Sequence, residues 1–218
     1  HALEVVKHEP LSIEAHRAAS AVLAEADGRA AARTHLAQAT QRFPHHHPLL
    51  KLRAEFLSGD PDADADAILA DMLADEPADA WALRQRALVL SDRKRHPEAL
   101  AAVQKAGELE PGHPWFFGVL AQVHRRADRP EDAADTLRDG LRRNIDQEPL
   151  IAELVGTARG KGAKRDALDF VLAELRRQPH TGEGLVAFVA QSHQTFTDPE
   201  EHTEFLETLE DLLDARPD

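Results

Sequence analysis

A chain of 218 residues that is 42% hydrophobic and 30% charged carries enough apolar material for a sizeable core and is not composed like a disordered segment. Lys and Arg total 26 against 39 Asp and Glu, a formal net charge of -13, which argues against a general nucleic-acid or anionic-membrane surface and leaves room only for a local basic patch. With no cysteine there is no disulfide framework, thiolate zinc site or cysteine nucleophile, and no apolar run approaches the roughly 20 residues of a membrane-spanning helix.

From the N-terminus, Ala2-Leu3-Glu4-Val5-Val6 already reads as helix behind a His1 that is not Met, and the expectation is a piece of a longer protein. The lack of cysteine leaves the compartment open between cytoplasm and periplasm. Abundant Ala, Arg and Asp beside little Lys points to a GC-rich bacterium.

Helical patterns end at Pro10, Pro44, Pro77, Pro111 and Pro179, spaced 34, 33, 34 and then 68, with Ile145 at the skipped place. Proline ends a helix because it pushes the preceding residue out of the helical region. Twelve residues before the later markers stand Ala32, Ala65, Ala99, Ala133 and Ala167, and eight before them Leu36, Leu69, Val103, Leu137 and Val171. Small residues recur ten after the markers at Ser20, Ala54, Ala87 and Ala121.

This pattern, seen best in WALRQRALVLSDRKRHPEALAAVQKAGELEP (81–111) and WFFGVLAQVHRRADRPEDAADTLRDGLRRNI (115–145), resembles the tetratricopeptide repeat, a helix-turn-helix unit. The resemblance implies an all-α fold, an α-α superhelix of about five repeats over residues 11–181. Residues 1–10 are then the end of a preceding helix, and 182–218 a divergent C-terminal helix pair that caps the array. In each repeat the small residue lets the first helix approach the second, and the larger apolar residue fills the space between them. One unit cannot cover its own apolar face, so neighbours must stack.

The match is imperfect. The family's first-helix Tyr is replaced by Leu23, Leu57, Leu90 and His124. Trp81 and Trp115 stand two positions before the usual Trp, whose register holds Leu83 and Phe117. Repeat two is one residue short, and Gly156, Gly160 and Gly162 weaken the helices of repeat five. After the repeats, Asp198-Pro199-Glu200-Glu201 is a helix start, and Phe205, Leu206, Leu209, Leu212 and Leu213 form an apolar stripe; residues 199–214 read as a capping helix.

Three stretches invite chemical readings. His45-His46-His47 lies in an inter-repeat junction, where histidines read as turn residues; consecutive residues cannot all point at one ion, and the local sequence implies no acidic or thiolate partner. Asp60-Pro61-Asp62-Ala63-Asp64-Ala65-Asp66 begins like a calcium loop but has Ala65 where the turn needs Gly and Asp71 in place of the final Glu. Gly160-Lys161-Gly162-Ala163-Lys164 lacks the spacing of a phosphate loop and any preceding strand. No Ser/His/Asp set emerges. The expectation is therefore no catalytic residue, no metal and no cofactor.

In proteins of the resembled family the first helices line a concave groove that holds an extended or helical peptide. The inward-pointing places there correspond to Arg17, Lys51 and Arg84, with Gln85 and Gln122 nearby and Arg125, Arg126 and Arg159 at first-helix ends. The implied groove is basic and suits a partner carrying Asp, Glu, phosphate or a free carboxylate. Trp81 and Trp115 either border it or pack between repeats, the more ordinary use of each. A clamp for chaperone tails is disfavoured, because the chain's only Asn is Asn144. The expected function is a non-catalytic scaffold binding a protein or peptide, with no nucleic acid, no membrane insertion and self-association left open. The alternatives are the substrate-recruiting or oligomerising region of a larger enzyme, such as a glycosyltransferase, sulfotransferase or oxygenase, and a periplasmic scaffold of an exopolysaccharide secretion system.

Overall fold

The structure, a computed structural model, describes residues 2–58, 65–178 and 182–198, and positions 203, 207 and 210. The described residues form twelve helices and no strand. They run α1 (Ala2–His8), α2 (Ile13–Ala26), α3 (Arg29–Arg42), α4 (His47–Leu57), α5 (Ala65–Asp75), α6 (Ala80–Asp92), α7 (His96–Leu109), α8 (Pro114–Arg126), α9 (Pro130–Arg143), α10 (Glu148–Thr157), α11 (Lys161–Arg177) and α12 (Glu183–Thr195). The chain divides into two compact units, His1–Leu109 and Glu110–Asp218. The stripe expected at 205–213 and the acidic run 60–64 lie outside the described residues.

The helix starts follow from local chemistry. Ser12 caps α2 by accepting the Ala15 N–H at 3.3 Å, and Asp79 caps α6 by accepting that of Ala82 at 3.0 Å. Histidine takes the same part elsewhere: His46 Nδ1 accepts from Leu49 N–H at 3.3 Å and His113 Nδ1 from Trp115 N–H at 3.2 Å. Pro114 and Pro130 open α8 and α9, where a missing N–H costs nothing.

Within pairs, the turns need a residue with positive φ. Gly28 (86°) and Gly160 (86°) supply it before α3 and α11. Lys94 (60°) and Asp128 (58°) do so before α7 and α9 against the steric preference of an L-residue. Around them Arg95 N–H reaches Leu90 O at 2.9 Å and Arg129 N–H reaches His124 O at 3.0 Å, closing the helix ends.

The periodic residues are the core. Ala32 and Ala99 are 0% exposed, as are Leu36, Val103, Leu137 and Val171; each larger side chain so buried contributes about 1.5–3 kcal/mol. In the first unit Ala54, Leu57, Leu69, Met72, Ala82 and Val89 pack together with Trp81 at the edge. In the second, Phe117, Leu137, Leu141, Ile151, Leu154, Val171 and Phe188 form one cluster.

Ile145 fills the place where the other junctions have proline, and the structure gives the reason. Its N–H donates to Gln178 Oε1 at 3.1 Å, a bond proline cannot make, while Gln178 Nε2 donates to Leu141 O at 2.9 Å. The next residue, Asp146, accepts the N–H groups of Gly182 (3.4 Å) and Gly184 (2.8 Å), fastening the start of α12. A β-carbon at Gly184 would lie 2.6 Å from the Ile145 carbonyl oxygen, so only glycine allows this approach.

Candidate functional site

The expected binding residues fall on the first helix of each pair, except Arg159, which lies in the turn after α10, and the structure places a carboxylate beside several of the bases. Arg17 on α2 lies 3.2 Å from Glu55 on α4, both side chains well exposed. Lys51 on α4 lies 3.0 Å from Asp79 Oδ2 at the start of α6 and 5.0 Å from the centre of the Trp81 ring. In the second unit Arg125 on α8 lies 3.7 Å from Glu153 on α10. Each acid comes from the following helix pair, so the bases are locally charge-matched.

The remaining positions differ from one another. Arg84 is 7% exposed, so it is part of the interior of α6 and not an open contact surface. Gln85 and Gln122 are half-buried, whereas Arg126 and Arg159 are exposed. Arg159 lines a surface cleft of about 620 Å³ with Arg138, Asp135 and Asp166. Trp81 packs against its unit's core, as expected of an inter-repeat aromatic. Trp115 is 68% exposed, so the packing expected for it is absent.

Electrostatics separate the carboxylates. Burial raises the pKa of Asp79, but the Ala82 N–H and Lys51 outweigh it and the net shift is downward. Glu153 goes the other way: burial raises it more than Arg125 and Arg126 lower it. Asp66, the last residue of the calcium-like run, sits in α5 with Arg86 Nε at 2.7 Å and Arg95 Nη1 at 2.9 Å. Burial opposes its charge, yet these arginines hold its pKa below the ordinary value. It is committed to a cross-helix ion network.

Sequence reasoning missed Glu55, Asp79 and Glu153 as partners. A signal existed for two: Asp79 follows Lys51 by the same number of residues as Glu153 follows Arg125. It also missed the acids beside the histidine run. His45 Nδ1 is 3.3 Å from Asp75 and His47 Nδ1 is 3.5 Å from Glu76.

These paired helices, with small residues at the crossings, define an all-α, tetratricopeptide-like solenoid. No family model matches the chain, and no curated protein matches it. Among solved structures it is similar to TTC0263, a thermophilic TPR protein of Thermus thermophilus, at 15% identity and a TM-score of 0.56, over 91% of this chain and 99% of that one. It is likewise similar to pilF of Pseudomonas aeruginosa, at 18% identity and a TM-score of 0.54, over 89% and 96% of the two chains. A double mutant of MamA RS-1 matches at 12% identity and a TM-score of 0.55, over 85% and 97%. The fold expected from the repeat pattern is thus the fold observed. No helix among the described residues is long and apolar enough to cross a membrane.

Proposed function

We propose that this chain is a non-catalytic protein-binding scaffold whose first-helix bases hold an acidic segment of a partner. The observation that supports this reading is the pairing of Arg17 with Glu55 and of Arg125 with Glu153 at partly exposed positions. An exposed ion pair such as Arg17–Glu55 contributes about 0–1 kcal/mol, so there a partner carboxylate can replace the internal one at little cost. The bases are already held at fixed places on packed helices, which lowers the ordering cost of binding. Trp115, near the opposite end of α8 from Arg125, offers an exposed aromatic anchor on the same helix.

A random peptide library panned on the full chain tests the reading. Peptides rich in Asp and Glu should be enriched, and the enrichment should disappear on an Arg17→Glu, Arg125→Glu variant with an unchanged melting temperature. Neutral or basic peptides, or the same set on both proteins, would overturn it. Arg84→Glu is unsuitable here, because a reversed charge at a buried site costs about 3–5 kcal/mol of stability.

A further inference from the structure

The junctions before α4 and after α5 bring together three side chains of metal-ligand type. His47 opens α4, Glu76 directly follows α5, and Asp79 caps α6. One ligand atom of each lies within 4.8 Å of the others. His47 Nδ1 is shielded from water and has no hydrogen-bond partner; Glu76 Oε2, at 3.5 Å, is too distant for a good one. Asp79 is 7% exposed. Its Oδ1 is spent on the Ala82 N–H, while Oδ2 makes no aligned hydrogen bond and has Lys51 Nζ at 3.0 Å.

Two carboxylates and an unpartnered imidazole nitrogen form a donor set for a borderline divalent ion, with water completing the shell. The site already attracts a cation, the Lys51 ammonium, whose side chain is 35% exposed and has an outward path. Ligand bonds of about 2.0–2.2 Å require the three atoms to close up slightly. Glu76, with a side chain 60% exposed, is free to supply that movement. His46 and His45 are otherwise engaged, with the α4 cap and with Asp75.

We propose that His47, Glu76 and Asp79 form a site for a divalent transition ion such as zinc, which displaces the ammonium of Lys51. The site is independent of the peptide-binding reading except at Lys51. Its test is titration of the full chain with zinc chloride by calorimetry, and with cobalt chloride followed by visible absorption. One ion per chain is expected. His47→Gln and Glu76→Gln should each weaken binding by about tenfold or more, with circular dichroism unchanged. Lys51→Met should tighten binding by about tenfold, because it removes a competing charge from a shielded carboxylate. His45→Gln with His46→Asn should leave affinity as it was, Asn preserving the cap. The proposal fails if no ion binds. It fails equally if binding survives His47→Gln but is lost with His45 and His46, which would mean chelation by the exposed run. An unaltered affinity in Lys51→Met would remove Asp79 Oδ2 from the shell and overturn the site as drawn.

Discussion

Asp146 Oδ1 accepts the backbone N–H of Gly184 at 2.8 Å, so a junction side chain in one helix pair caps the helix that follows the next pair. The contact is close because Gly184 has no β-carbon to meet the Ile145 carbonyl oxygen at 2.6 Å. Gly184→Ala is expected to cost about 1–3 kcal/mol, since the obstructing atom is backbone. Asp146→Ala should cost about 1 kcal/mol through loss of the cap. Urea denaturation gives the magnitudes, and amide exchange should rise in α12 before it rises in α8 or α9.

Lys94 is held at φ 60°, where a side chain is strained and glycine is not. Lys94→Gly is expected to stabilise the first unit by about 1 kcal/mol, read as a higher melting temperature. Asp128→Gly should gain less, because Asp tolerates this conformation better than Lys does.

His16 is 2% exposed, with Nε2 3.0 Å from Pro10 O and Nδ1 3.0 Å from His35 Nε2. A carbonyl can only accept, so His16 carries its proton on Nε2 and His35 donates from its own Nε2. Burial, and then the nearness of His16, hold the His35 pKa below its ordinary value of 6.5. Burial, then Arg129, do the same for His124 against the opposing pull of Asp132. The unfolded chain therefore takes up more protons as pH falls through about 6.5. The stability from the neutral imidazoles is complete above that pH and declines below it, down to the folded-state pKa values. Denaturation midpoints should drop from about pH 8 to pH 5.5, less steeply in His35→Gln. Asp66 and Asp79 shift downward from 3.8, so their contribution is lost below this window and does not mask the effect.

Ala99 is 0% exposed at a helix crossing in the first unit. Ala99→Leu should destabilise by about 1–3 kcal/mol in a thermal or urea melt, because the added carbons have no space. An unmoved melt would contradict the packing assigned to the periodic alanines.

What was legible in the sequence was what repeats. Ala32, Ala65, Ala99, Ala133 and Ala167 recur because each crossing poses the same steric problem, and all five are buried. Ile145 was visible only as a missing proline; its reason, the bond to Gln178, depends on a side chain far along the chain. The bases of the candidate site were legible as a series; of their acids, Asp79 and Glu153 left only a shared spacing and Glu55 no signal, since an ion pair between successive helix pairs depends on how those pairs stack. Arg84 shows the same limit. Its place in the repeat matches that of Arg17 and Lys51, yet it is buried and they are not, because burial depends on the neighbouring side chains. The histidine run was judged by its own neighbours, and the acids that meet it arrive from the end of α5 and the junction that follows it.

The two tryptophans, in a chain without tyrosine, make the protein its own optical reporter. Trp81 lies against the core of the first unit, beneath Lys51, and its emission must shift to the red when that unit opens. Trp115 belongs to the second unit and is already 68% in water, so its emission changes little on unfolding. Fluorescence therefore follows the first unit while far-ultraviolet dichroism follows all the helices. The separation between the two melting curves measures how far one unit can unfold without the other.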